Sequence, residues 1–271
     1  MSRPDDFQRF PGRMPADSSC KDSNSHYVGG VKISVIVPAF NEEKLLGASL
    51  VEIQSAARVF AARGWDFELI VCNNNSTDRT AEVAQAAGAR VVFEPINQIA
   101  RARNTGAAAA TGDWLIFVDA DTHPASELFA DVADQIVACK CLAGGATIRL
   151  DQKMFVAGWI TRFWNLTSRC NRLMAGSFIF VTAAAFRQVG GFSHELFAGE
   201  EIDLSFRLKK LARETGRKIV ILHRHPIKTS ARKMKLYSAR EHLGFFVRAL
   251  FNHRRVLTSR EAAFIWYDGR R

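Results

Sequence analysis

No apolar run in this chain approaches the ~18–20 residues needed to cross a bilayer. The first residues, Met1 to Gln8, are polar and lack the hydrophobic stretch of a secretory leader. Neither a membrane span nor export is expected. Cysteine is sparse: Cys20, Cys72, Cys139, Cys141 and Cys170 are an odd number with no C-x-x-C pair. That argues against a disulfide framework or a thiolate zinc site and for reduced thiols in a cytoplasm. Cys139-Lys140-Cys141 offers two ligands without partners. The patterns G-x-x-x-x-G-K-[ST], H-E-x-x-H and G-x-S-x-G are all missing, which excludes the P-loop, zincin and nucleophile-elbow chemistries. There is no internal repeat.

Acidic charge is scarce at one end. Residues 206–271 hold 18 Lys and Arg against 4 Asp and Glu, a net of +14, while the remainder carries −4. A basic quarter is either a solvated surface or a partner for phosphates, acidic lipid heads or nucleic acid. The overall length and 48% hydrophobic content suit one large domain with extensions.

Residues 1–30 are rich in Asp, Ser, Pro, Gly and Asn and read as a mobile tail. A regular pattern follows. Strands are expected at Val31–Val37, Phe67–Cys72, Arg90–Phe93 and Trp114–Val118. Helices are expected at Glu42–Arg63, Thr80–Ala87, Ile99–Ala110 and Ser126–Ala138, the last capped by Ser126. Short apolar strands alternating with helices predict an α/β fold with a parallel sheet covered on both faces, which binds ligands at the carboxyl ends of its strands. Further on, strands are expected at Ala146–Leu150, Ser177–Thr182 and Lys218–Leu222. Helices are expected at Phe155–Asn165, Glu200–Arg213 and Leu236–Phe251, the last amphipathic.

The unusual polar clusters all follow strands. Asp119-Ala120-Asp121 ends the fourth, and alternation along a strand would aim both carboxylates to one side, fit to hold a hard divalent cation against a phosphate. Pro38-Ala39-Phe40-Asn41-Glu42-Glu43 and Asn73-Asn74-Asn75-Ser76-Thr77-Asp78 each lead into a helix, whose start favours phosphate. Capping accounts for Asp78 but not for three consecutive asparagines. Arg101 and Arg103 cannot share a helix face, so one faces solvent and the other the strand ends, where its fork of donors suits a diphosphate. Glu200-Glu201-Ile202-Asp203 opens a helix, where the dipole alone favours acids. One of these carboxylates would equally serve as a general base beside an acceptor hydroxyl.

In order and spacing, these motifs resemble the family 2 glycosyltransferases of the GT-A fold, over about residues 31–225. The motifs are Pro-Ala-Phe-Asn-Glu, Asn-Asn-Ser-Thr-Asp, Ala-Arg-Asn-x-Gly at 102–106, Asp-Ala-Asp-Thr at 119–122 and Gly-Glu-Glu-x-Asp-Leu at 199–204. The resemblance implies a Rossmann-like mixed sheet with a nucleotide-binding half (31–122), an acceptor half (123–225) and a C-terminal helical extension (226–271). It implies a nucleoside-diphosphate-sugar donor, Mn2+ or Mg2+, and transfer to a hydroxyl acceptor, inverting or retaining. Pro38, Phe40 and Glu42 would line the nucleotide pocket, with Asn73 at the base-reading position and Arg103 and Asn104 near the diphosphate. Asp119 would meet ribose or metal and Asp121 the metal. His223 or His225 would add a ligand. Glu201 would be the catalytic base, flanked by Glu200 and Asp203. Two positions depart from the family pattern. Asn73 replaces a base-reading aspartate and weakens the case for uracil, and Glu200-Glu201 replaces a Glu-Asp pair.

The segment Thr229–Lys235 would supply a basic loop closing over the diphosphate through Arg232. Beyond it, Phe245, Phe246, Phe251, Phe264 and Trp266 interleave with arginines. Such a stripe suits anionic lipid on the inner membrane face, and hence a lipid-linked acceptor. It suits equally well packing on the core or in a homodimer. Two rival readings remain at this stage. One is a nucleotidyltransferase, which needs paired acids and a metal but not Glu200–Asp203. The other is an inactive nucleic-acid-binding module, which leaves the acidic cluster unexplained.

Overall fold

The computed structural model describes residues 30–152, 155–230 and 257–259. Its elements run β1 (Lys32–Ala39), α1 (Leu46–Ala61), β2 (Asp66–Asn73), α2 (Thr80–Ala86), β3 (Arg90–Phe93), α3 (Ile99–Ala109), β4 (Trp114–Val118), β5 (Thr122–His123), α4 (Ser126–Val137), β6 (Cys141–Leu150), α5 (Phe155–Asn171), β7 (Phe178–Thr182), α6 (Ala183–Gln188), α7 (Glu200–Glu214) and β8 (Lys218–Thr229).

All eight strands join one sheet in the order β3-β2-β1-β4-β7-β6-β8-β5. The first half, β3-β2-β1-β4, is parallel. From β4 onward the sheet is mixed: β7 is antiparallel to β4 and β6, β8 is parallel to β6, and β5 is antiparallel to β8. Alternation along β1 divides the interior in two. Ile33, Val35 and Val37 pack with Leu50, Phe60 and Phe129 of α1 and α4, whereas Ile36 packs with Ala100 of α3 and Leu204 and Leu208 of α7. Both faces are thus covered, and burial of these side chains supplies the main favourable term. The chain leaves β1 toward β2 and β3, then returns to β4 on the other side of β1. That reversal opens a crevice at the carboxyl ends of β1 and β4, where Phe40 and Asp119 stand.

Several boundaries differ from the sequence reading for local reasons. Residues 42–45 form a turn before α1: Glu42 N donates to Thr80 Oγ1 at 2.8 Å, and Glu42 O accepts from Leu45 and Leu46. Ser126 begins α4 rather than capping it, and the cap position, Ala125, makes no side-chain bond. β6, expected from Ala146, starts at Cys141 and runs through Gly144-Gly145. A side chain at 144 would stand 2.4 Å from the Phe180 ring, so only glycine lets the strands pass. β8 continues beyond Leu222 to Thr229, across the expected domain boundary at 225. Between Ala146↔Leu222 and Ile148↔Ile227, Thr147 of β6 alone stands opposite residues 223–226 of β8, and this bulge accommodates Pro226. The short β5 and α6 were not expected; Thr182 caps α6 by accepting from Ala185 N. The expected helix at Leu236–Phe251, the tail up to residue 29 and Arg232 lie outside the described residues. Among the described residues, no helix is long and apolar enough to cross a membrane.

Candidate active site

Two turns form one rim of the crevice and are stitched to each other. Asn41 adopts a left-handed conformation (φ 52°), its N–H donates to Ser76 Oγ, and its Oδ1 accepts from Thr77 N. Glu43 N donates to Asp78, while Glu43 Oε2 accepts from Arg79 N. Each asparagine of the 73–75 run has its own task. Asn73 Oδ1 accepts from Ser76 N at 3.0 Å, which leaves its NH2 donor as the free end. Buried Asn74 donates to the carbonyls of Glu94 and Ile96 and so holds the exit of β3. Asn75 takes the left-handed conformation that closes the turn (φ 60°). Pro38, within β1, stands two residues past the last pairing with β4, Ile36↔Phe117.

The motif on α3 works inward. Arg103 is the largest fully buried side chain, 1% exposed. Its Nη1 donates to Glu200 Oε1 (2.6 Å), and its Nη2 donates to Asp119 Oδ1 and to Gly176 O (both 2.9 Å). The guanidinium lies 5.1 Å from the centre of the Phe192 ring. Burial disfavours its charge, but Asp119, Glu200 and Glu201 outweigh this and raise it above the ordinary arginine value. Arg101 instead bonds Gln98. Asn104 is engaged at both ends of its amide: Oδ1 accepts from Phe192 N, and Nδ2 donates to Phe192 O and to His194 Nε2. Asn104 thereby holds loop 192–194 against α3. Gly106 lets α3 approach β1, since a side chain there would meet Ile36 Cγ2 at 2.5 Å.

Asp119 and Asp121 lie on the turn after β4, so strand alternation does not set their directions. Asp119 N donates to Ser177 O, and Ser230 N donates to Asp121 O. Arg103 takes Asp119 Oδ1. Asp121 is 5% exposed, yet among the described residues its carboxylate has only a 3.5 Å contact from Thr122 Oγ1. A buried carboxylate with so weak a partner asks for a cation. Hard oxygen donors on two carboxylates fit Mg2+ or Mn2+, which commonly rests on one or two carboxylates plus substrate phosphates. Among the described residues, no group of three His, Cys, Asp or Glu side chains is arranged as a complete metal site.

α7 starts at Gly199, in a left-handed conformation (φ 73°), and presents its two glutamates differently. Glu200 is buried on Arg103. Glu201 is half-buried beside Gly176, where an added Cβ would stand 3.7 Å from its Cδ. Burial, then the Glu200 charge, push the Glu201 carboxyl up to about 8, against the opposing pull of Arg103. The structure thus gathers Asp119, Glu200 and Glu201 around Arg103, with Asp121 two residues along.

It does not gather three of the expected residues. Asp203 faces away and accepts from Arg207 Nε and Nη2 at 2.8 and 2.6 Å. A helix turns ~100° per residue, so positions 201 and 203 lie on opposite sides. His225 pairs with Asp131 of α4 at 2.9 Å. It is four residues before Thr229, the partner of Thr122, roughly 13 Å along a strand. His223 precedes it and is exposed. The residue beside Asp121 at that edge is Ser230. Sequence reading missed Gly176, Ser177 and Ser230, which carry no motif of their own.

The sequence model for "Glycosyl transferase family 2" matches residues 34–188. An uncharacterized glycosyltransferase of Mycobacterium tuberculosis is 33% identical over 153 residues, 52% of this chain and 62% of that protein. The chain therefore spans under two thirds of that relative's length. A dolichol-phosphate mannosyltransferase of Pyrococcus furiosus is 28% identical over 114 residues, 39% of this chain and 30% of that one. Among solved structures, a mannosyltransferase from Pyrobaculum calidifontis in complex with GDP-Man and Mn2+ superposes with a TM-score of 0.63 at 19% identity, covering 87% of this chain and 65% of that one. Glucosyl-3-phosphoglycerate synthase from Mycobacterium tuberculosis, in complex with Mn2+, UDP and phosphoglyceric acid, gives 0.57 at 21% identity, covering 82% and 76%. The fold is GT-A.

Proposed function

The chain belongs to glycosyl transferase family 2, and we propose that it moves a sugar from a nucleoside-diphosphate-sugar to an acceptor hydroxyl with inversion. The observation that carries this reading is the Arg103 bridge. It fixes Asp119, on the donor side of the crevice, against Glu200, the neighbour of Glu201, on the acceptor side. Residues 31–122 form the donor half and the chain from 123 the acceptor half, with β8 closing it at 229.

Glu201 acts as the base. Its carboxylate takes the acceptor proton while the acceptor oxygen bonds to the anomeric carbon and the bond from that carbon to the diphosphate breaks. A raised carboxyl suits the task, because a base is most effective when its pKa lies near the working pH. Glu200 remains an ion-pair partner and Asp203 a surface partner of Arg207. A divalent cation on Asp121 and Asp119 would supply charge neutralisation for the departing diphosphate. Stitched turns 38–43 and 73–78 present the base-binding rim, where Asn73 offers a donor to a base carbonyl. The likeness to the GDP-Man and UDP complexes supports this placement of the donor.

The test is thermal stabilisation by a panel of nucleoside diphosphates, each with and without Mn2+. A ligand that binds the folded state alone raises the melting temperature. A shift for one base that needs Mn2+ and disappears in Asp121→Ala supports the reading. Absence of any shift across the panel overturns it. Release of pyrophosphate instead of a nucleoside diphosphate would move the assignment to a nucleotidyltransferase.

A further inference from the structure

α5 is amphipathic in the reverse sense. A surface helix ordinarily turns its apolar stripe to the core. Here the inward positions are Ala157, Thr161, Asn165 and Ser168, spaced four, four and three apart, and they are buried or half-buried. Asn165 does structural work: it accepts from Ile148 N and donates to Ile148 O (both 2.9 Å), bonding the β6 backbone beyond its last pair with β7. Ser168 Oγ donates to Leu173 O, and Thr161 Oγ1 donates to Ala157 O. Three large apolar residues point outward instead: Trp159 is 61% exposed, Phe163 72% and Leu166 60%, at the 4 and 3 spacing of one stripe.

Cations border this stripe, and the segment contains no acid. From Phe155 to Gly176 there is neither Asp nor Glu, while Arg162, Arg169 and Arg172 are exposed. Arg162 lies over the Trp159 ring at 5.8 Å. The surface continues onto α7. There Phe206 is 59% exposed with Lys209 4.8 Å over its ring. Lys209 is depressed by burial and then by the charges of Arg213 and Arg172, which places these three cations together. Met174 N donates to Ser205 Oγ, so the end of α5 and the side of α7 are physically joined. Glu201 opens the same helix.

We propose that the outer face of α5, extended by Phe206 and Lys209 of α7, docks on an anionic phospholipid surface. Aromatic and aliphatic side chains would enter the boundary between headgroups and acyl chains while arginine and lysine reach the phosphates. The lack of any acid from Phe155 to Gly176, beside the exposed arginines, selects a bilayer of negative charge over a neutral one. Docking through this face would set where the protein works and stands apart from the transfer reaction.

The experiment is co-sedimentation of the full chain with vesicles of phosphatidylcholine, with and without phosphatidylglycerol, at low and high salt. Three forms are compared: the unaltered chain, Trp159→Ser with Phe163→Glu, and Arg169→Glu with Arg172→Glu. All altered positions are exposed, so melting temperatures and nucleoside-diphosphate binding should match the unaltered chain. The expected result is binding to phosphatidylglycerol vesicles only, weakened by salt and weakened about tenfold or more in each variant. Three results would overturn it. The chain could fail to bind anionic vesicles. Both variants could bind as well as the unaltered chain, which would put the contact elsewhere. Or the Trp159/Phe163 variant could change only the oligomeric state in size-exclusion chromatography, which would make the face a contact between copies.

Discussion

Nη1 of Arg103 lies 2.6 Å from Oε1 of Glu200, across 97 residues of sequence. The pair is buried on both sides, and it ties α3 to the first turn of α7. Because the same guanidinium holds Asp119 and the Gly176 carbonyl, one side chain sets the spacing between the two halves of the crevice.

Replacing Arg103 with alanine leaves two carboxylates uncompensated, one of them fully buried. A loss of about 3–5 kcal/mol is expected, as when one partner of a buried ion pair is removed. Arg103→Lys should recover part of this but not all, because a single ammonium cannot reproduce the fork that reaches Asp119, Glu200 and Gly176 together. Urea unfolding of the three proteins checks both statements.

Glu201 should make stability depend on pH. Its folded-state pKa is raised to about 8, so the stability it contributes is fully present below the ordinary carboxylate range and is lost as pH rises through about 8. Glu201→Gln has no charge to bury and should flatten that decline in a series of urea midpoints across neutral pH. In the transfer reaction the sign reverses: the base must be ionised, so the rate should climb toward the same pH and the limb should vanish in Glu201→Gln. A variant that keeps full transfer would remove Glu201 from the role of base.

Asp203→Asn should be nearly silent. The residue is half-exposed on Arg207, and surface pairs four apart on a helix are worth less than about 1 kcal/mol. Full activity in Asp203→Asn together with inactivity in Asp121→Ala would separate the motif's outward carboxylate from those of the crevice.

Asn74→Ala removes two bonds to the carbonyls of Glu94 and Ile96 and should cost about 1–3 kcal/mol. Asn73→Ala loses only the turn bond to Ser76 and should affect nucleotide binding more than folding. Thermal melts with and without a nucleoside diphosphate distinguish the two.

Thiol reactivity should follow exposure. Cys72 is buried, and burial followed by the Glu94 charge pushes its thiol up to about 12, while Cys170 is exposed. Alkylation of the native protein, read by mass spectrometry, should modify Cys170 before Cys72, which should react only after denaturation.

Local pattern decided the first half of the fold. Periods of hydrophobicity placed β1 to β4 and α1 to α4 within a few residues, because each strand there is a short buried run and each helix a regular stripe. The motifs also marked the crevice, since paired carboxylates and arginine in a helix are chemically unusual wherever they fold. Pattern failed where pairing overrode composition. The strand expected from Ala146 begins at Cys141, where pairing with β7 and β8 carries Gly144-Gly145 and the Phe180 ring leaves position 144 no room for a side chain. The strand expected to end at Leu222 runs on to Thr229, with Pro226 carried by a bulge.

What the sequence determined by itself was therefore the element order and the kinds of chemistry present. Which carboxylate does what was decided only by tertiary structure. Glu200, Glu201 and Asp203 are near neighbours in the chain, yet the first is neutralised by Arg103, the second is left unpaired and raised, and the third is turned out to Arg207. The physical reason is that charge is governed by what lies within a few ångströms in space. Here those neighbours arrive from α3, β4 and the turn before β7, up to about a hundred residues away.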